Sequence, residues 1–80
     1  MSFEKKRGLH LRIGEYIEDK FKERLEEQLE ILSHHFYNGH DWERSLYYSC
    51  VAGEKAKRVY ANEEAIEFFS RAIESYEMME

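Results

Sequence analysis

In the stretch Asp41-Trp42-Glu43-Arg44-Ser45-Leu46-Tyr47-Tyr48-Ser49-Cys50-Val51-Ala52-Gly53-Glu54-Lys55-Ala56, the residues Ser45, Ser49, Ala52, Gly53 and Ala56 fall on one face of a helix. Small side chains in that register remove bulk from one side, so a neighbouring helix can approach closely. Asp41 supplies a carboxylate where the helix starts, positioned to accept from the first free N–H groups. Trp42 and Leu46 follow as large apolar residues, and the spacing predicts a helix from Trp42 to Val59 or Tyr60, with Trp42, Leu46 and Val59 filling its ends.

On the C-terminal side, Ala65, Phe69 and Ala72 repeat the alternation of small contact points with aromatic plugs. A fourth helix is predicted from Glu63 to Met78. Asn62 is its N-cap, Glu63 and Glu64 complement the dipole, and a Glu67–Arg71 pair lies on the surface. Its buried face is read as Ala65, Ile66, Phe69, Ala72, Ile73 and Tyr76. On the N-terminal side, Asn38-Gly39-His40-Asp41 is the clearest turn, with Gly39 in the left-handed conformation that closes a helix. The helix before it, Lys22 to Tyr37, has the seam Leu25, Leu29, Leu32 and Phe36. A first helix from Phe3 to Glu18 carries Leu9, Ile13, Tyr16 and Ile17 on one face, and Asp19 caps the second.

Eighty residues without proline, and with only four glycines, allow one module of uninterrupted helices. The expected fold is all-α, about four helices in antiparallel hairpins. A chain this short buries only roughly 60% of its unfolded surface, so economical packing or a partner is needed. The net charge of −5 disfavours a general nucleic-acid binder, despite the basic clusters Lys5-Lys6-Arg7 and Lys55, Lys57, Arg58. One cysteine excludes an internal disulfide. No apolar run approaches the ~20 residues that span a bilayer, and the leading segment lacks the apolar core of a secretory signal, so a cytoplasmic location is expected.

No catalytic, cofactor or metal site is legible. There is no phosphate-binding GxxxxGK[ST] string, no HExxH and no CxxC. His34 and His35 are adjacent and diverge by about 100° on a helix, so they do not readily share an ion, and one faces the hairpin while the other faces solvent. Cys50 reads as a buried inert thiol. The aromatic surplus is the functional signal: Tyr37, Tyr47, Tyr48 and Phe68 do not fit one small core and are taken as an interaction surface.

From Trp42 to Glu74 the chain resembles tetratricopeptide-repeat sequence, with Leu29, Leu32 and Phe36 suiting an earlier helix. Leu32, Phe36, Trp42, Leu46, Ala52, Gly53, Ala56, Ala65, Phe69 and Ala72 form the packing signature. Ser45 to Ala65 spans 20 positions against a family period of about 34, which is accommodated if one long helix closes the first hairpin and opens the second. The wider series Leu9–Glu18, Leu32–Phe36, Gly39–Leu46, Ala52–Ala56 and Tyr60–Ala65 is similar to the helical region that follows the nucleotide-binding module of multidomain signalling ATPases, some fused to adenylate or guanylate cyclases. That resemblance implies a protein-contact module, a regulatory or assembly arm in which the chain is a piece or small relative of a larger protein. Its partner is a protein, including neighbouring repeats of the same polypeptide. A free-standing adaptor or a homo-oligomer is the alternative.

Overall fold

The computed structural model describes the backbone of residues 3–80 and the side chains from Lys5 onward; Met1 and Ser2, part of the leading segment read above, lie outside the described residues. Four α-helices follow one another: α1 (Phe3–Lys20), α2 (Leu29–Asn38), α3 (Trp42–Arg58) and α4 (Asn62–Met78), with a 3-10 turn at Leu25–Gln28 before α2. No strand occurs among the described residues, and the all-α class holds.

The helices run up and down in turn. Ser45 meets Ser75 and Gly53 meets Phe69, so α3 and α4 are antiparallel. Ser33 meets Ser49 and Phe36 stacks on Tyr48, which sets α2 against α3 in the same sense. Gly14 lies under Phe36 and Gly39 under Leu11, which does so for α1 and α2. α1 and α2 each also touch the helix after next. Tyr48 reaches Glu18 across α3 to α1, and Tyr37 reaches Glu74 across α2 to α4.

The core is Leu29, Leu32, Phe36, Tyr48 and Ala52, with Leu11, Ile17, Leu25, Val51 and Phe68 packed against it. Leu29, Leu32 and Phe36 of the second seam are buried as expected, but the helix expected from Lys22 starts only at Leu29, with Leu25 half-buried in the 3-10 turn. The stripe on α3 is fully inside: Ser45, Ser49, Ala52, Gly53 and Ala56 are all buried.

Both turns around α3 close by one design. Asp41 N–H donates to the Phe36 carbonyl and His40 N–H to that of Tyr37; Ala61 N–H donates to Ala56 and Tyr60 N–H to Lys57. These are Schellman closures, each ending in a left-handed residue. That residue is His40 (φ 60°) in the first turn and Tyr60 (φ 61°) in the second. The expected left-handed Gly39 is therefore corrected. Its φ is −84°, and its lack of a side chain serves close approach, since a Cβ there would meet Leu11 Cγ at 2.8 Å. The two closures lie 20 residues apart, the interval seen between Ser45 and Ala65.

Other local expectations shift for stated reasons. Asp41 caps α3, its carboxylate accepting from Arg44 N–H at 3.1 Å. Asn62 is the first helical residue of α4, and Ala61 occupies the cap with no side-chain bond. Asp19 lies within the last turn of α1 and caps nothing; the chain leaves α1 at Phe21, and the 3-10 turn follows. Leu9 and Tyr16 point outward because Gly14, not a bulky residue, sets the contact line of α1. Val59 is 68% exposed because the chain has already turned away into the second closure.

Candidate functional site

Three regions of the surface and seams carry unusual chemistry. The first is a polar relay inside the α2–α3–α4 packing. Ser45 and Ser75 hydroxyls are 2.7 Å apart, as are those of Ser33 and Ser49. Ser75 donates to the Arg71 carbonyl, so its pair with Ser45 is completed by the Ser45 hydrogen. Arg71 Nη1 donates to Ser33 Oγ at 2.8 Å. Arg71 thus touches both serine pairs, one with its backbone and one with its side chain. Its guanidinium also lies over the rings of Tyr37 (5.2 Å) and Phe68 (5.5 Å). The expected surface partnership with Glu67 is replaced by this inward role. Phe68, expected to point away, packs against the core beneath Arg71.

The tyrosines divide. Tyr48 is only 5% exposed, so its place on an interaction surface is corrected: it stacks on Phe36 and donates to Glu18. Burial, then that hydrogen bond, pushes its hydroxyl well above the usual tyrosine range. Tyr37 is half-buried and donates to Glu74 at 2.7 Å; that bond, with burial second, raises its hydroxyl as well. Tyr47 is 62% exposed and sits edge-on to Tyr48. The four aromatics therefore do not make one patch. Trp42, expected to enter the core, is half-buried, stacked on His40 at 4.8 Å and edge-on to Tyr37. Beside Tyr48, Arg44 gathers Glu15 (3.4 Å), Glu18 (3.5 Å) and Asp41 (3.6 Å) over the Phe36 ring. Partial burial works against its charge, but the three carboxylates prevail and raise its pKa.

The second region is the outer side of the α3–α4 pair. An open groove of about 330 Å³ is lined by Leu46, Cys50, Phe69, Ala72, Ile73 and Tyr76. Ile66, Ile73 and Tyr76, expected on the buried face of α4, are 65%, 60% and 56% exposed. The inner face is instead Ala65, Phe68, Ala72 and Ser75, with Phe69 half-buried over Gly53 as expected. Cys50 is half-buried at the groove, and its thiol is raised by burial first and Glu54 second, so it stays protonated at neutral pH.

The third region lies where α1 crosses α2. His10, His34 and His35 converge there, with His10 Nδ1 2.9 Å from His35 Nδ1. An open cleft of about 430 Å³ lined by Lys6, Arg7, His10, Asn38 and His40 adjoins them. His34 and His35 are both lowered from the ordinary histidine value, chiefly by burial and then by charge on the neighbouring imidazoles. The expected split holds in exposure, with His34 exposed and His35 half-buried in the seam, although both rings lie beside His10. The sequence alone does not single out His10. A signal existed: His10 and His35 each stand one turn before a glycine, Gly14 and Gly39, where the two helices close up.

The basic clusters do not join. Lys6 and Arg7 lie at the α2–α3 turn, while Lys55, Lys57 and Arg58 occupy the other end of α3. No helix among the described residues is long and apolar enough to cross a membrane. In comparisons with known proteins, the chain matches no protein-family model, no curated protein and no solved structure.

Proposed function

We propose that this chain is a protein-contact module of the tetratricopeptide-like kind, whose outer α4 face receives a further amphipathic helix. One observation carries the reading. α4 has two apolar stripes, and only one is covered. Ala65, Phe68, Ala72 and Ser75 face α3 and α2 and Phe69 covers Gly53 of α3, while Ile66, Ile73 and Tyr76 recur at helical spacing along the other side. An apolar stripe left open on the end helix of a stack is what an uncapped repeat presents.

The occupant is argued from the turns. The closure and helix that follow α2 recur 20 residues later after α3. A third recurrence would lay a helix against α4 as α4 lies against α3. That helix belongs either to the same polypeptide, as in a regulatory or assembly arm of a signalling ATPase, or to a partner. A nucleotide-binding domain encoded immediately upstream favours the arm over a free adaptor. The separation of the two basic clusters speaks against a nucleic-acid face.

The test is sedimentation of the isolated chain across a wide concentration range, beside Ile73→Glu. An uncovered stripe is expected to drive concentration-dependent self-association that Ile73→Glu abolishes without loss of helical circular dichroism. A monomer at all concentrations, showing no binding of an apolar dye that Ile73→Glu reduces, overturns the reading.

A further inference from the structure

Three imidazoles from two helices meet at the α1–α2 seam. The two glycines that let these helices close up also fix their register: a Cβ on Gly14 would meet Phe36 Cζ at 2.8 Å, and one on Gly39 would meet Leu11 Cγ at 2.8 Å. That register sets His10 opposite the His34–His35 pair. Ring centroids are 5.1 Å apart for His10–His35, 5.5 Å for His10–His34 and 5.0 Å for His34–His35. One ring nitrogen from each residue lies within 4.8 Å of the other two. We propose that His10, His34 and His35 bind a first-row transition-metal cation of the zinc class through three imidazole nitrogens, leaving a fourth position open.

The geometry fits this ion class. Zinc holds imidazole nitrogen at about 2.0–2.1 Å, so two tetrahedral ligands stand roughly 3.3 Å apart. The His10–His35 nitrogens, at 2.9 Å, need part only slightly, and the third nitrogen needs to close by a side-chain adjustment. In the metal-free form the two facing Nδ1 atoms share one hydrogen, one donating and the other accepting. A cation replaces that hydrogen and takes both lone pairs. The group contains no carboxylate, which favours borderline metals with imidazole affinity over calcium or magnesium.

His34 has an outer partner. Asn38 Nδ2 donates to the His34 carbonyl at 2.8 Å and lies 3.3 Å from His34 Nδ1. Such contacts hold a ligand ring in place. Lys6 and Arg7 line the cleft beside His10. Their charge opposes a bare divalent ion and favours an anion or hydroxide on the open position. A cation here ties α1 to α2, and the site stands apart from the α3–α4 groove, so it does not depend on the contact reading.

The test is calorimetric titration of the chelator-treated full chain with zinc chloride. Expected are one saturable site, a rise in thermal midpoint with zinc but not magnesium, and cobalt(II) absorption bands of a four-coordinate ion. His10→Ala and His35→Gln, checked for parental helicity, lower zinc affinity more than about tenfold, and Asn38→Ala lowers it by about tenfold. Cys50→Ser leaves it unchanged. The proposal is overturned by the absence of a saturable site, by magnesium matching zinc, by folded His10→Ala and His35→Gln both keeping parental affinity, or by loss of binding in Cys50→Ser.

Discussion

The α3–α4 seam and the seam that attaches α1 solve the same packing problem with different materials. Between α3 and α4 the contacts are small and dry: Ser45 on Ser75, Ala65 and Ala72 inward, and Gly53 beneath the Phe69 ring. α1 also closes on a glycine, Gly14 beneath Phe36, but its other tethers are ionisable. Glu15 and Glu18 engage Arg44, Glu18 accepts from Tyr48, and His10 meets His35. A seam built from bulk and shape responds to mutation. A seam built from titratable groups responds to solution conditions as well. α1 is therefore the helix whose attachment pH and ions can tune, while α3–α4 is set by close packing and the buried Ser45–Ser75 hydroxyl pair.

Phe36→Ala gives the largest expected effect, because this ring is fully buried and joins α1 and α3 to α2: it fills the approach of Gly14, stacks on Tyr48 and underlies Arg44. The expected loss is about 3–5 kcal/mol in a urea melt, comparable to the whole stability of a small domain. A loss under about 1 kcal/mol would mean that α1 does not share the core. Gly53→Leu probes the dry seam alone. A Cβ at position 53 already meets Phe69 Cε1 at 2.8 Å, so the substitution is expected to cost more than about 2 kcal/mol by overpacking. A thermal melt matching the parent rejects the close crossing.

Tyr48→Phe tests the ionisable seam. Losing the bond to Glu18 is expected to cost about 1 kcal/mol at neutral pH. The folded pKa of Tyr48 lies above its unfolded value of 10, so the neutral phenol's contribution is complete below pH 10 and is lost as pH rises from there toward the folded value. The parent should lose stability above pH 10 more steeply than Tyr48→Phe, read by denaturant melts at successive pH values; parallel curves would remove the assignment. The smallest effect is a gain. Tyr60 holds a left-handed backbone while 86% exposed, so Tyr60→Gly relieves strain and loses little contact. A rise of up to about 1 kcal/mol is expected, less the extra entropy glycine brings to the unfolded chain.

What the sequence made legible follows the same division. The α3 stripe, the α2 seam and the Asp41 cap depend on local periodicity and side-chain type, and all three stand in the structure. The orientation of α1 is legible only in part: Ile13 and Ile17 turn inward as expected, Leu9 and Tyr16 do not. Leu9 and Tyr16 made an amphipathic face, but the contact line is drawn by Gly14, whose value is an absence of bulk that hydropathy does not register. On α4 apolar residues occur on two sides, and periodicity alone does not say which one is covered. Ile66, Ile73 and Tyr76 were therefore assigned inward while Ser75 took the buried place. The histidine group depends on the register between α1 and α2, a non-local quantity, so the adjacency of His34 and His35 does not reveal that His10 lies opposite both.

The relay through Arg71 has a consequence for how the helices can slide. Its carbonyl accepts from Ser75, which is paired with Ser45, and its guanidinium donates to Ser33, which is paired with Ser49. Moving α4 by a single turn along its neighbours would break the Ser45–Ser75 pair and the Arg71–Ser33 bond at once, and a hydroxyl orphaned where water does not reach costs about 1–3 kcal/mol. Apolar ridges tolerate gradual slippage; this arrangement admits one alignment and rejects its neighbours, so the outer stripe of α4 is held at a fixed height for whatever helix lies against it.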